Sequence, residues 1–136
     1  MGVANLLNGF ATVYVPLGED SNGAMRWQRY ELARVYCESS KTDIRSSGGK
    51  HPSDRTTLYV FDARSTVKVK GVVHSAEAKC PDIFDIKMTR IAGGFLQMVP
   101  YRSDAQTPPA DSVEIQKVQH FKAGTRRMWH WEVVAE

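Results

Sequence analysis

Along this chain apolar residues alternate with polar ones more often than they recur at helical spacing, so strands are predicted over most of its length. FATVYVP (10–16) sets Val13 and Val15 against Tyr14 and stops at Pro16, before the turn-rich GEDSNG. In RWQRYELARVYC (26–37) Tyr30, Leu32 and Tyr36 fit period two. Trp27, Tyr30 and Arg34 would also fit one helical face, and strand is the reading taken. TTLYVFDA (56–63) and STVKVKGVV (65–73) are rich in β-branched and aromatic residues, and the second sets Val67 and Val69 against Lys68 and Lys70. FDIKM (84–88) puts Phe84, Ile86 and Met88 on one strand face, and GGFLQMVP (93–100) adds an apolar run closed by Pro100. Helical turns are expected only in ANLLNGF and near Ala76–Lys79.

The last two strands are predicted to form a hairpin. SVEIQKVQHF (112–121) alternates at Val113 and Ile115 and slips at Val118, as a bulge would make it. KAGTR then turns the chain, with Gly124 suited to positive φ. In RMWHWEVVA, Trp129, Trp131, Val133 and Ala135 share one face, and Met128, His130, Glu132 and Val134 the other. Trp129 and Trp131 are therefore the predicted aromatic core of the closing strand, and His130 a partly exposed, hydrogen-bonded imidazole. Some seven short strands separated by polar loops predict a mainly β protein, a small antiparallel β-barrel or sandwich with a C-terminal hairpin.

Two long polar stretches interrupt the pattern, ESSKTDIRSSGGKHPSDR at about 38–55 and the Pro- and Asp-rich stretch at about 101–111. Loops this long in a small domain usually carry function, and ordering by a partner is expected here. At 136 residues the chain suits a single domain, 1–136, with one core. No apolar run approaches the roughly 20 residues of a membrane span, and MGVANLLNGF lacks the basic start and long apolar stretch of a secretion signal. A soluble cytosolic product without membrane contact is expected. Cys37 and Cys80 stand alone, with no paired Cys or His, and read as two buried thiols of a reducing compartment rather than a zinc site or a disulfide.

Candidate chemistry is sparse. Asp85-x-Lys87, with Asp62 at the end of an earlier strand, resembles the acid, acid and lysine set of a Mg²⁺-dependent nuclease. A nuclease or nucleic-acid-binding small β domain built on Asp62, Asp85 and Lys87 is the alternative reading, and exposed surface charge outweighs it. His51, His74, His120 and His130 are scattered without metal-ligand spacing, and neither a G-x-S-x-G elbow nor a phosphate loop is present. No cofactor or metal is expected. The net charge of +3 decides little, but the cations gather at loop tips. Arg45, Lys50 and Arg55 lie in the first long loop, and Lys122, Arg126 and Arg127 around the terminal turn. These are the candidates for contact with DNA phosphates or with a neighbouring subunit's acids. Stacking platforms for single strands would need exposed rings among these cations, and Trp129 and Trp131 read as buried.

The order of TVYVP, the RWQRYELARVYC strand, the Gly-rich loop leading into SDRTTLYVFDA, and the ending SVEIQKVQHFKAGTRRMWHWEVVAE resembles small head-tail connector proteins of tailed bacteriophages, of the minor capsid or head-closure kind. Such proteins commonly end in a strand with the pattern V…HW.V, which His130, Trp131 and Val133 reproduce. Between Val67 and Arg102 the chain departs from the resemblance, since no G-D-x-[IV]-V-x-G strand occurs there. The resemblance implies a noncatalytic virion protein, a β-barrel subunit present in the host cytoplasm during assembly. It would form a homo-oligomeric ring at the portal, dodecameric by preference and hexameric as the other option. Portal or adaptor and tail proteins would be its partners, with non-specific contact to packaged DNA; a tail-side completion or terminator role is the variant within this class.

Overall fold

The computed structural model describes residues 7–40, 55–84 and 95–136. Within them the chain is mainly β: β1 (Gly9–Glu19), β2 (Met25–Ser40), β3 (Arg55–Phe61), β4 (Thr66–Val69), β5 (Val72–Ser75), β6 (Gln97–Val99), β7 (Val113–Phe121) and β8 (His130–Ala135), with one helix, α1 (Ala76–Ile83), between β5 and β6. Every pairing is antiparallel. The ladder runs β1–β6–β7–β8–β3–β2 and closes on itself where β2 pairs with β1, and the β4–β5 hairpin branches from β2. Closure leaves the main circuit without a terminal strand, the usual solution to unpaired sheet edges.

The inward residues of alternating strands build one core. Val13 of β1, Leu32 and Val35 of β2, Leu58 and Val60 of β3, and Trp131 and Val133 of β8 belong to a single buried cluster. On β3 and β8 the burial alternates strictly, as one dry face requires. β1 does not alternate: Ala11, Thr12, Val13 and Tyr14 are all buried. Its second face is covered by the stretch after β6, which is fastened there by side chains. Thr12 Oγ1 donates to the Tyr101 carbonyl at 3.0 Å and accepts from the Ser103 amide at 2.9 Å. Tyr14 Oη lies 2.8 Å from Ser103 Oγ and donates to the Ala105 carbonyl at 2.9 Å, while Arg29 donates to the Ser103 carbonyl at 2.8 Å. The beginning of the 101–111 loop is thus tied to the sheet by the chain itself, without a partner.

Several expectations change in the folded chain. STVKVKGVV is two strands, not one, because Lys70 and Gly71 both take positive φ (51° and 78°) and turn β4 tightly into β5. The helical turn expected near 76–79 extends to eight residues. Ser75 caps it by accepting the Ala78 amide at 3.2 Å, and the Phe84 amide closes it on the Cys80 carbonyl at 2.8 Å. Phe84 therefore ends a helix rather than lying on a strand, and Ile86 and Met88 lie outside the described residues. β2 takes the strand option along its whole length and runs on to Ser40, so β2 and β3 take up both ends of the first polar stretch. The slip in β7 is a register shift between Ile115 and Lys117, and Gly124 has φ 76°. Trp131 is buried, at 8% exposure, but Trp129 is only half-buried: it follows a 3₁₀ turn (Arg126–Met128) and precedes β8. The two indoles part because the turn ends before the strand's alternation begins. Of the two thiols, Cys80 is buried and Cys37 half-buried.

Candidate functional site

The β7–β8 register decides what surrounds the terminal turn. His120 sits opposite Trp131, and Phe121 opposite His130; on the other side of β8, Val60 faces Trp131 and Phe61 faces His130. Adjacent residues of a strand point to opposite faces, so this rung pair places one aromatic set inside and another outside. Inside, the His120 ring lies parallel to Trp131 (4.0 Å between centroids, 6° between planes), and Phe84 at the end of α1 packs against the same indole at 5.8 Å. Outside, His130 lies between Phe61 and Phe121, 5.2 and 5.3 Å from their centroids.

The inner set contains a buried polar pair. His120 Nε2 is 2.8 Å from Asp62 Oδ2, and the Asp62 side chain is 1% exposed. Asp62 Oδ1 has no hydrogen-bond partner. The backbone around Asp62 is fixed from both directions: its amide donates to the Trp129 carbonyl at 3.1 Å, and its carbonyl accepts from Glu77 of α1 at 3.3 Å. Burial pushes the Cys80 thiol well above its ordinary value, and the Asp62 carboxylate raises it further. Asp62 thus joins β3, α1, β7 and β8 at one end of the sheet. Its carboxylate is buried, and no group of three metal-ligating side chains occurs among the described residues. Asp85 and Lys87 lie outside the described residues.

The predicted basic residues separate into groups. Arg45 and Lys50 lie outside the described residues. Arg55 opens β3 and is ion-paired with Glu136 at 3.5 Å; it lies at the opposite end of β3 from the terminal turn, about 20 Å away at the rise of an extended strand. Lys122, Arg126 and Arg127 do come together on the turn. Arg126 forms a two-point pair with Glu77, its Nε 2.6 Å from Oε2, which clamps the turn to α1. The Lys122 ammonium rests 5.5 Å over the Trp129 ring. Arg127 is exposed and borders two recesses, one with Asp62, Ser75 and Glu77, the other with Phe61, Arg64, Met128 and His130. Arg64, Phe61, Phe121 and His120 were not predicted site residues. Their separation in the chain hides them, and only the register of three strands assembles them.

A second feature lies on the branch. β5 pairs with β4 alone among the described strands, so its outer edge carries unpaired backbone groups. Val72 and Val73, adjacent and hence on opposite faces, are 54% and 62% exposed. Beside them is a recess of about 240 Å³ bordered by Phe10, Leu32, Ala33, Val73 and the charged Lys68 and Arg102. β4 is anchored in the core by Val67, whereas the start of β5 exposes a valine on each face and has no partner on its outer edge among the described strands, an arrangement that folded proteins normally cover. No helix among the described residues is long and apolar enough to cross a membrane. Comparison of the chain with protein-family models, with curated proteins and with solved structures gives no match.

Proposed function

We propose that this chain is a noncatalytic structural subunit of a tailed-phage particle, which assembles with copies of itself into a ring at the portal as a head-completion connector. The observation that carries the reading is the β4–β5 arm: a strand edge without a partner among the described residues, flanked by exposed Val72 and Val73 on an otherwise closed β body. A strand edge of this kind joins an extended segment of another chain through backbone hydrogen bonds, while its side chains choose the partner. When the segment comes from a different patch of the next copy, the contact is head-to-tail, and rotation closes it into a ring. Twelve copies is the ring order favoured, with six as the other; the tail-side completion role uses the same contact. The sequence likeness of the ending, with His130, Trp131 and Val133 in place, supports the same assignment.

The test is light scattering of the purified chain, alone and on portal particles, beside a DNA cleavage assay with Mg²⁺. Multiples of the chain mass or retention on portal particles are expected, and Val72→Lys with Val73→Lys should abolish either without altering the circular dichroism spectrum. A protein that stays monomeric and unbound, or DNA cleavage lost on Asp85→Ala, overturns the assignment.

A further inference from the structure

No local pattern marks the outer aromatic row, because its three rings come from three different strands. Phe61, His130 and Phe121 lie on one rung of three adjacent strands, β3, β8 and β7, and form a continuous stack on the outer face. His130 is fixed within it. Its Nδ1 is 2.9 Å from the Met128 carbonyl oxygen and its Nε2 is 3.0 Å from Glu132 Oε2. Next to the row is a recess of about 240 Å³ bordered by Phe61, His130, Met128, Arg64 and Arg127. It exceeds the roughly 150 Å³ cavity known to admit a benzene ring. Met128 is 61% exposed, and Phe121 is exposed at the row's end.

Around the row, the charged side chains left without a side-chain partner among the described residues are cations. Arg64, Lys122 and Arg127 have no carboxylate partner among the described residues. The acids at this end are already engaged, Glu77 by Arg126 and Glu132 by His130. Glu38 lies farther along the face, opposite Thr57, and Asp62 is buried on the inner side. A ring row ending in the exposed Phe121, with Arg64 and Arg127 at the recess beside it, has the chemistry of a surface that stacks a base on its open end and takes phosphates on its cations. An acidic peptide would match the charges but would leave the ring row without a planar partner.

We propose that the Phe61–His130–Phe121 row, with Arg64 and Arg127, is a binding site for single-stranded nucleic acid. The site is separate from the β4–β5 arm and does not depend on ring assembly, so either assignment can fail alone. Sequence is not read here, because base stacking is tolerant of base identity.

The experiment measures fluorescence anisotropy of a labelled oligothymidylate against the whole chain over a salt series. Two phosphate contacts give a slope of log affinity against log salt of about −1.4, because each contact on a single strand contributes about −0.7. Changing Arg64 and Arg127 together to Gln should bring the slope close to zero. Phe121→Leu keeps an apolar side chain but removes the stacking face, and should weaken binding about tenfold at unchanged slope, within the range for one stacked base. Urea unfolding of each variant confirms that it remains folded, and Phe121→Tyr, which restores a ring, should recover the affinity. Absence of binding at about 50 mM salt, where phosphate contacts are strong, overturns the proposal. So does affinity unaffected by Phe121→Leu, which would leave charge alone, and so does displacement by polyglutamate at equal charge concentration, which would identify an acidic protein as the occupant.

Discussion

Replacing His120 by Ala tests whether the buried Asp62 pair holds this end of the sheet together. The imidazole is the partner of Asp62 Oδ2, and Oδ1 has none, so its removal leaves a carboxylate of 1% exposure without a hydrogen bond. Breaking a buried pair by deleting one member costs about 3–5 kcal/mol. Loss of the parallel stack on Trp131 adds about 0.5–1.5 kcal/mol. Because His120 is 21% exposed, water can enter the vacated space and solvate the acid, which places the total near the lower end, about 3–4 kcal/mol. A domain of this size is stable by roughly 5–15 kcal/mol, so the variant should keep the fold with a much reduced margin. With a urea dependence of about 2 kcal/mol per molar, the unfolding midpoint should fall by about 1.5–2 M. Tryptophan fluorescence is the assay, since Trp131 reports from beside the deletion. Asp62→Ala combined with His120→Ala should cost less than the two single changes added together, by about 2 kcal/mol, because the double variant has no unpaired buried charge. A His120→Ala midpoint within about 0.5 M of the parent, or strict additivity in the cycle, would refute the reasoning and mean that the pair is solvated.

Two further outcomes are expected. Tyr14→Phe removes the hydroxyl that reaches Ser103 and the Ala105 carbonyl, should destabilise the protein by about 1–3 kcal/mol, and should open the 101–111 stretch to limited proteolysis well before global unfolding; a loop as resistant as the parent's would show that Thr12 and Arg29 suffice to hold it. Burial pushes the Cys37 thiol up from 9.0 to about 11 and Cys80 higher still, so neither should react with iodoacetamide at neutral pH until denaturant is added. Since the folded thiols hold their protons more tightly than the unfolded ones, the stability they contribute is complete below 9.0 and is lost as pH rises toward 11, which alkaline urea titrations would detect; rapid labelling of native protein at neutral pH would contradict it.

The sequence by itself determined the β class, the hairpin ending and the faces of β3 and β8. These depend on period two, a property of neighbouring residues. Trp131, Val133 and Ala135 face inward and His130 outward because alternation in a half-buried strand leaves no other choice. The bulge near Val118 and the positive φ of Gly124 were legible for the same local reason. Wherever a second layer intervened, local pattern failed. The consecutive burial of Ala11–Tyr14 comes from the loop lying over β1, and the split of STVKVKGVV from two left-handed residues that alternation does not reveal. Trp129 shares the period of Trp131 but not its burial, because the 3₁₀ turn ends just before it. The candidate sites were the least legible part. Asp62 with His120, and Phe61 with His130 and Phe121, are separated by about sixty residues of chain, and only the pairing of β3 and β7 on either side of β8 brings them into contact. Register is fixed by the whole closed ladder, so tertiary structure alone decided that Arg64 joins the cations of the terminal turn and that Arg55 stands at the far end.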